Sequence, residues 1–293
     1  MNIGEENGQA DQPNKIVAFW LKIPVLVRAI VGGMVVFLTL QFGANALMFA
    51  NLTMTPNIPW STPLGVLYLW VVFQFFNGRW GSAATAEARR GSLRARRLTR
   101  QEWLPAGVAT ALVVVFIIFA TLLMYRLIEI PADEDMFPDL PWWTYYSALL
   151  LVSLVAGVSE EAGFRGYMQA PLEKKYGTAI AIAISSLMFW VAHLNHASGM
   201  ARFVPLVIMG ASLALLARSA RSIVPAIIAH ASADAIIFIC GSLEIGPREI
   251  WYPVQISETG LDTLFWVTVV GVVGSSSILF VLFRRLNRMT QCI

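Results

Sequence analysis

The chain has 293 residues, of which 57% are hydrophobic and only 13% are charged, against about 25% charged residues in an average soluble domain. Its apolar runs are too many and too long for one soluble core, because about 20 consecutive apolar residues already cross a bilayer as a helix. The formal net charge of +3 does not indicate nucleic-acid binding, since the arginines lie in short segments between apolar runs, where they orient helices against the cytoplasm.

Eight apolar segments follow a polar tail, residues 1–24, which lacks the basic start and the cleavage site of a signal peptide. We predict membrane-spanning helices at about residues 25–50, 63–77, 105–128, 143–171, 177–197, 203–218, 223–241 and 262–283. No repeat and no linker to a second globular domain interrupts them. The sequence therefore predicts an all-α fold: one polytopic transmembrane bundle of about eight helices over residues 25–283, ending in a short cytoplasmic tail, residues 284–293.

The basic residues predict how this bundle is oriented. Residues 77–103 carry seven arginines, whereas residues 129–141 carry five acids and no base. With the N-terminus inside, 18 of the 21 Lys and Arg residues fall on the cytoplasmic side, which is a strong positive-inside bias. We therefore place the chain in a bacterial inner membrane with both termini in the cytoplasm.

Ionisable residues interrupt three of the apolar segments in the second half of the chain, the fourth, fifth and seventh. The charged ones are Glu160, Glu161, Arg165 and Asp234, and two histidines, His193 and His230, lie in the same stretch. An ionisable side chain near the bilayer centre costs roughly 2.5 to 3.5 kcal/mol on insertion scales. These residues must therefore face a protein or water-filled interior, which predicts an intramembrane polar cavity.

The spacing of these residues predicts pairs on shared helix faces. Three pairs are four residues apart, one in each segment: Glu161 with Arg165, Phe189 with His193, and His230 with Asp234. Residues four apart lie on one face of a helix, so the first pair can form an ion pair. In the third, the carboxylate can orient the imidazole.

The depth of the residues in the membrane can be predicted as well. Glu160 lies 17 residues before Gly177 and His193 lies 16 after it. If the turn between the two helices centres on Gly177, the two side chains reach the same level, because antiparallel helices rise equally per residue. Glu160 and His193 can therefore converge with His230 and Asp234. Such a group of side chains can hold a water and deprotonate it, which hydrolysis inside a membrane protein needs.

These residues form three motifs that resemble those of a known family. "EEAGFR" from Glu160, "FWVAH" ending at His193 and "HASAD" from His230 are similar to the EExxxR, FxxxH and Hxxx(N/D) motifs of the CPBP intramembrane proteases. This family includes the CAAX prenyl endopeptidases of the second type and is also called the abortive-infection-like family. The resemblance covers about residues 143–241 and implies proteolysis within the membrane.

The resemblance implies a role for each motif residue. Glu160 would be the general base that activates water, with His193 holding that water. Glu161 and Arg165 would shape the first-motif helix. His230, with the residue at position 234, would stabilise the tetrahedral oxyanion.

Two features leave the chemistry open. Glu160, His193 and His230 could hold a divalent metal such as zinc with an open position for water, or the same residues could run a metal-free, glutamate-based hydrolysis. The prenyl endopeptidase branch usually has Asn where this chain has Asp234, and an ionised carboxylate cannot donate to an oxyanion. Asp234 would then be protonated, orient His230 or contribute to a metal site.

Three functions are compatible with these residues. The leading one is an intramembrane endopeptidase acting on a membrane-associated protein or peptide, with prenylated C-termini as one substrate class. The second is a non-catalytic immunity or regulatory protein of the same fold that binds another membrane protein. The third is a transporter with a proton or ion relay, which the lack of inverted repeats disfavours.

Residues outside the motifs have structural interpretations. Trp142 and Trp143 are typical of an aromatic belt at the membrane surface. Gly32 and Gly33 are typical of close helix packing, and His196 is expected to be a non-essential interfacial residue.

Overall fold

The computed structural model describes residues 19–20, 22–130, 140–194, 198–245 and 254–291, which form helices joined by short turns and no β-strand. The helices are α1 (Val25–Met54), α2 (Ser61–Phe76), α3 (Ala83–Leu93), α4 (Arg100–Leu127), α5 (Trp142–Glu160), a π-helical segment (Glu161–Met168), α6 (Gln169–Tyr176), α7 (Thr178–Val191), α8 (Phe203–Ala220), α9 (Val224–Ser242), α10 (Ile256–Thr259) and α11 (Thr263–Gln291). The predicted polytopic helical bundle is confirmed.

All eight predicted spans coincide with helices in this part of the chain. Six helices are long and apolar enough to cross a membrane, and two shorter apolar helices, α2 and α7, account for the remaining spans. α5, the π-helical segment and α6 run on as one helix of 35 residues. At about 1.5 Å per residue this helix is about 52 Å long, so it extends well beyond a hydrocarbon core of about 30 Å.

Three helix ends differ from the prediction. α4 begins at Arg100 rather than near residue 105, because the Thr99 hydroxyl accepts from the Glu102 N–H and the Glu102 carboxylate accepts from the Thr99 N–H. This capping box satisfies two backbone donors at the helix start. α7 ends at Val191 and α11 continues past residue 283. Residues 195–197, including His196, lie outside the described residues.

Apart from the buried motif residues, two groups of charged side chains lie at opposite ends of the described bundle. One group joins α4 to the segments that follow α7 and α10, through Arg126 with Asp262 at 2.6 Å and Arg202 with Tyr125 at 3.4 Å. The other joins the arginine-rich segment to α4 and α6, through Arg96 with Glu102 at 2.8 Å and Arg94 with Glu173 at 2.6 Å. This separation agrees with the prediction that the arginine-rich and acidic loops lie on opposite sides of the membrane. Which end faces the cytoplasm stays a prediction.

Glycine contacts let two helices approach the site closely. A Cβ atom on Gly33 of α1 would lie 2.8 Å from the carbonyl oxygen of Gly163 in the π-helical segment. A Cβ atom on Gly157 of α5 would lie 2.8 Å from the Cβ atom of Ala231 of α9. The packing role predicted for Gly33 is confirmed, whereas Gly32 has no neighbour within 4 Å. These contacts hold α1 and α9 against the helix that carries the first motif.

Candidate active site

The first motif lies at a change of helix type. α5 ends at Glu160, and the following eight residues form the π-helical segment. In a π-helix the hydrogen bonds run between residues five apart, and short π segments are frequent at functional sites. Nearly all side chains of this segment are buried, including Glu161 and Arg165, each 0% exposed. The segment is packed against α1, α3, α7 and α8.

Glu161 contacts both Arg165 and His230. Its Oε2 lies 3.3 Å from Arg165 Nε, so the predicted ion pair is present. Its Oε1 accepts a hydrogen bond of 3.0 Å from His230 Nδ1. A buried carboxylate costs much less free energy when it is paired and hydrogen-bonded, and Glu161 is both.

His230 lies between two carboxylates. Nδ1 faces Glu161, and Nε2 lies 3.4 Å from Oδ2 of Asp234, its partner four residues on in α9. The Asp234 contact is long for a hydrogen bond. An imidazolium can donate at both nitrogens, whereas a neutral ring donates at only one, so the two carboxylates stabilise the charged ring. Asp234 therefore lies beside His230, and which of the three roles left open by the sequence it has stays a prediction.

Glu160 and His193 face each other across a short gap. His193 follows the end of α7 and its Nδ1–H donates to the Phe189 carbonyl at 2.7 Å. Its Nε2 lies 3.8 Å from Glu160 Oε2, as expected if the two residues lie at one level. Glu160 is only 5% exposed, and its Oε2 accepts no hydrogen bond from the residues that the structure describes.

The Phe189 ring lies among Arg165, His193 and His230. The Arg165 guanidinium stacks over its ring at 4.6 Å from the centroid. The rings of His193 and His230 lie 4.9 Å and 5.8 Å from the same centroid. An aromatic face attracts a cation and fixes the planes that pack against it. The sequence identified Phe189 by its spacing, and the contacts show that it positions the other two motifs.

A polar ladder, which we define as Arg165, Gln169 and Glu173, runs along the inner face of the π-helical segment and α6. Its first two members donate to α8 carbonyls, Arg165 to Gly210 at 3.0 Å and Gln169 to Ala214 at 3.3 Å. Its third lies 3.7 Å from Arg218 of α8. Gln169 and Glu173 are not among the predicted site residues, although the four-residue spacing that links Glu161 to Arg165 continues to both.

Arg94 connects the arginine-rich segment to the first motif. Its Nη2 donates to the carbonyl oxygen of Arg165 at 2.7 Å, and its Nη1 donates to Glu173 at 2.6 Å. Burial lowers the pKa of the Arg94 guanidinium, an effect that the Glu173 carboxylate opposes. The sequence shows Arg94 only as one of seven arginines in residues 77–103. Its contacts could not be predicted, because its partners are more than 70 residues away along the chain.

The proposed metal ligands do not fit a common metal site. Metal-ligand distances to nitrogen and oxygen are about 2.0 to 2.2 Å for zinc, and both nitrogens of His230 are directed at Glu161 and Asp234 instead. Among the described residues, no group of three or more His, Cys, Asp or Glu side chains could hold a metal ion. The interpretation as a metalloprotease has no support from these residues.

The structure brings all six predicted site residues into two sets of contacts, which the Phe189 ring joins into one network. Two contacts link them in pairs across helices, Glu160 with His193 and Glu161 with His230. Two more link residues within one helix, Glu161 with Arg165 and His230 with Asp234. Their proximity is therefore a feature of the fold, and their chemical roles stay predictions.

The fold and this network define a class: a multi-pass helical membrane protein with an ion-pair network buried among its helices. Residues 141–236 match the family model of Rce1-like type II CAAX prenyl endopeptidases. This match is consistent with the CPBP family, and the resemblance drawn from the three motifs is confirmed. No curated protein and no solved structure matches the chain.

Proposed function

We propose that this protein is an intramembrane endopeptidase that hydrolyses a peptide bond of a membrane-associated protein or peptide, with water activated by Glu160. The observation that carries the proposal is the contact between Glu160 and His193. Because His193 Nδ1–H donates to a carbonyl, Nε2 of a neutral ring is an acceptor. It faces a second acceptor, Glu160 Oε2, at 3.8 Å, and one water can donate a hydrogen to each.

The same arrangement supports a sequence of proton transfers. Glu160 takes a proton from the water while the water oxygen bonds to the carbonyl carbon of the peptide. The carbonyl oxygen becomes an oxyanion, which a donor must stabilise. When the C–N bond breaks, the protonated Glu160 gives its proton to the leaving amine. One water is consumed, and the products are a carboxylic acid and an amine.

His230 is the oxyanion donor in this proposal. Its ring is held by Glu161 at 3.0 Å and lies 3.4 Å from Asp234, and because the second contact is longer than a normal hydrogen bond, Nε2–H can donate to a substrate oxygen beside it. An ionised Asp234 is acceptor-only, so it acts through His230. Arg165 and Phe189 do not contact the substrate in this proposal. Arg165 fixes Glu161, and Phe189 fixes the two imidazole rings.

Substrate enters from the arginine-rich end, which is the cytoplasmic side in the predicted topology. α9 begins at that end, since the Ile223 N–H donates to the Arg94 carbonyl. His230 is six residues into α9, or about 9 Å from this end. Glu160 is 18 residues from the opposite end of α5, or about 27 Å. The first count puts His230 nearer the arginine-rich end, and the second puts Glu160 about midway along its 35-residue helix, so the proposed entry side rests on His230 and on the predicted topology.

Membrane proteomics tests the activity on all membrane proteins at once, so that no single substrate has to be chosen. We expect membranes with the wild-type protein to contain shortened C-termini that are missing when Glu160→Gln replaces it at equal abundance. Glu87→Gln is the matched control, because Glu87 is an exposed carboxylate on α3. Identical peptide profiles for wild type and Glu160→Gln would remove the protease and favour a protein that binds another membrane protein.

A further inference from the structure

An arginine-lined cavity opens beside α3, outside the proposed active site. It has a volume of about 380 Å³ and is lined by Asn77, Arg79, Arg90, Arg94, Arg96 and Arg97. This volume is in the range of about 300 to 1,000 Å³ that is usual for small-molecule sites. Five guanidinium groups around one cavity repel each other unless an anion lies among them.

The protein itself supplies anions for only two of these arginines. Arg94 is paired with Glu173 and Arg96 with Glu102. In the part of the chain that the structure describes, Arg79, Arg90 and Arg97 form no ion pair, and all three are exposed. The cavity therefore keeps an excess of positive charge and unused N–H donors, which match a phosphate group better than a single carboxylate.

The residues that flank the cavity place it at the membrane surface. Trp80 and Trp103, at the two ends of the arginine-rich segment, are 44% and 42% exposed. Leu104, in the first turns of α4, is 75% exposed. Tryptophans are enriched at the level of the lipid headgroups, and an exposed leucine beside them contacts acyl chains. A phosphate bound in the cavity would therefore lie at the depth where lipid phosphates lie.

We propose that this cavity is a binding site for the phosphate group of an anionic phospholipid. Basic clusters on the cytoplasmic side of membrane helices attract anionic lipids. Here the arginines form a cavity of defined shape, so binding should depend on these side chains and not only on overall charge. The site is independent of the proposed protease activity, because none of its unpaired arginines contacts the active-site network.

Lipid binding to the purified full chain tests this proposal. The protein is reconstituted in nanodiscs of phosphatidylcholine with a minor fraction of phosphatidylglycerol, and the lipids that stay bound after transfer to detergent are counted by native mass spectrometry. We expect wild type to retain phosphatidylglycerol over phosphatidylcholine. The triple variant Arg79→Gln, Arg90→Gln, Arg97→Gln should lose that preference by about tenfold or more. Its melting temperature should match that of wild type, since the three side chains are exposed.

A second triple variant provides the matched control. Arg284→Gln, Arg285→Gln, Arg288→Gln removes the same charge near the C-terminal end of α11, outside the cavity, and should keep the preference within about twofold of wild type. Equal losses in both variants would show diffuse surface attraction and overturn the proposal. Displacement of phosphatidylglycerol by millimolar inorganic phosphate alone would assign the cavity to a soluble phosphate, and displacement by a peptide with a free C-terminal carboxylate would assign it to substrate. Either result would overturn the assignment to lipid.

Discussion

At the scale of single residues, the roles of the buried charges follow from what each one contacts. Oε2 of each glutamate accepts no hydrogen bond from the described residues, but Glu161 is ion-paired with Arg165 at 3.3 Å and accepts from His230 at 3.0 Å, whereas the ionisable partner of Glu160 is His193 at 3.8 Å. Two adjacent glutamates therefore have different environments: Glu160 is suited to take a proton, and Glu161 to hold Arg165 and His230 in place. Residue spacing predicts the pairs, but the difference between the two glutamates depends on contacts with other helices.

Asp234→Asn tests whether the aspartate acts through His230. The amide keeps the size of the side chain and can still accept one hydrogen bond, but it removes the charge that stabilises the His230 ring as a cation. We expect peptide cleavage to fall by roughly 10- to 100-fold, as for loss of a carboxylate that orients a functional imidazole, with an unchanged melting temperature. Equal or faster cleavage would mean that position 234 is itself an oxyanion donor.

Arg165→Ala tests the buried ion pair. It leaves Glu161 with His230 but without its arginine partner in a site with no exposure, and breaking a buried pair by removing one partner costs about 3 to 5 kcal/mol. We expect lower abundance in the membrane and a clearly lower melting temperature of the purified protein. Arg285→Ala, at an exposed position of α11, should change stability by less than about 0.5 kcal/mol. Similar melting temperatures for the two variants would contradict a structural role for Arg165.

At the scale of helices, the sequence predicted the spans well and the local helix geometry poorly. Long apolar runs fixed where the eight helices lie, because hydrophobic length is a strong signal. The π-helical segment was not predicted, although Gly163 and Gly166, both poor helix formers, lie within it. The end of α7 before His193 and the early start of α4 were also missed, since helix ends depend on caps and tertiary contacts.

Arg94→Gln tests how the arginine-rich segment supports the first motif. The variant removes the hydrogen bond from the Arg94 guanidinium to the Arg165 carbonyl and the ion pair with Glu173, and a hydrogen bond from a charged group contributes roughly 1.5 to 3 kcal/mol. Because Arg94 would position the motif and not bind substrate, we expect kcat to fall with little change in KM. Arg94→Lys, which cannot bridge both partners, should recover only part of the rate.

Arg90→Gln is the control for this experiment. Arg90 is exposed near the end of the same helix and contacts neither Arg165 nor Glu173 in the described structure. Its kcat and KM should both stay near the wild-type values. An equal fall of kcat in the Arg90 and Arg94 variants would show that the loss comes from charge in this segment and not from the contact with the motif.

At the scale of the whole molecule, charged side chains lie at both ends of the bundle. The orientation of the bundle in the membrane was predicted only from the excess of basic residues at one of these ends. The Arg126 and Asp262 pair belongs to one end and the Arg94 and Glu173 pair to the other. The sequence could predict this separation because the arginines of residues 77–103 and the acids of residues 129–141 each lie together in one segment. It could not predict that the site would be joined to one end through Arg94 and the polar ladder, because those contacts are between distant segments.

Cysteine labelling tests the orientation of the bundle. In a background with Cys240→Ser and Cys292→Ser, single cysteines are placed by Ser92→Cys near the end of α3 and by Ser257→Cys in α10. A membrane-impermeant thiol reagent added to intact spheroplasts should label position 257 and should label position 92 only after permeabilisation, since the arginine excess lies around position 92. The reverse pattern would contradict cytoplasmic termini and substrate entry from the cytoplasm.

The central claim is that Glu160 takes a proton from the attacking water, and the most direct measurement is the rate of peptide cleavage by reconstituted Glu160→Gln protein. The amide keeps the shape of the side chain and removes the base, so the rate should fall by a factor of about 100 to 10,000, while the melting temperature stays near that of wild type. Glu87→Gln, measured in parallel, should cleave at the wild-type rate. Full activity in Glu160→Gln would contradict the account.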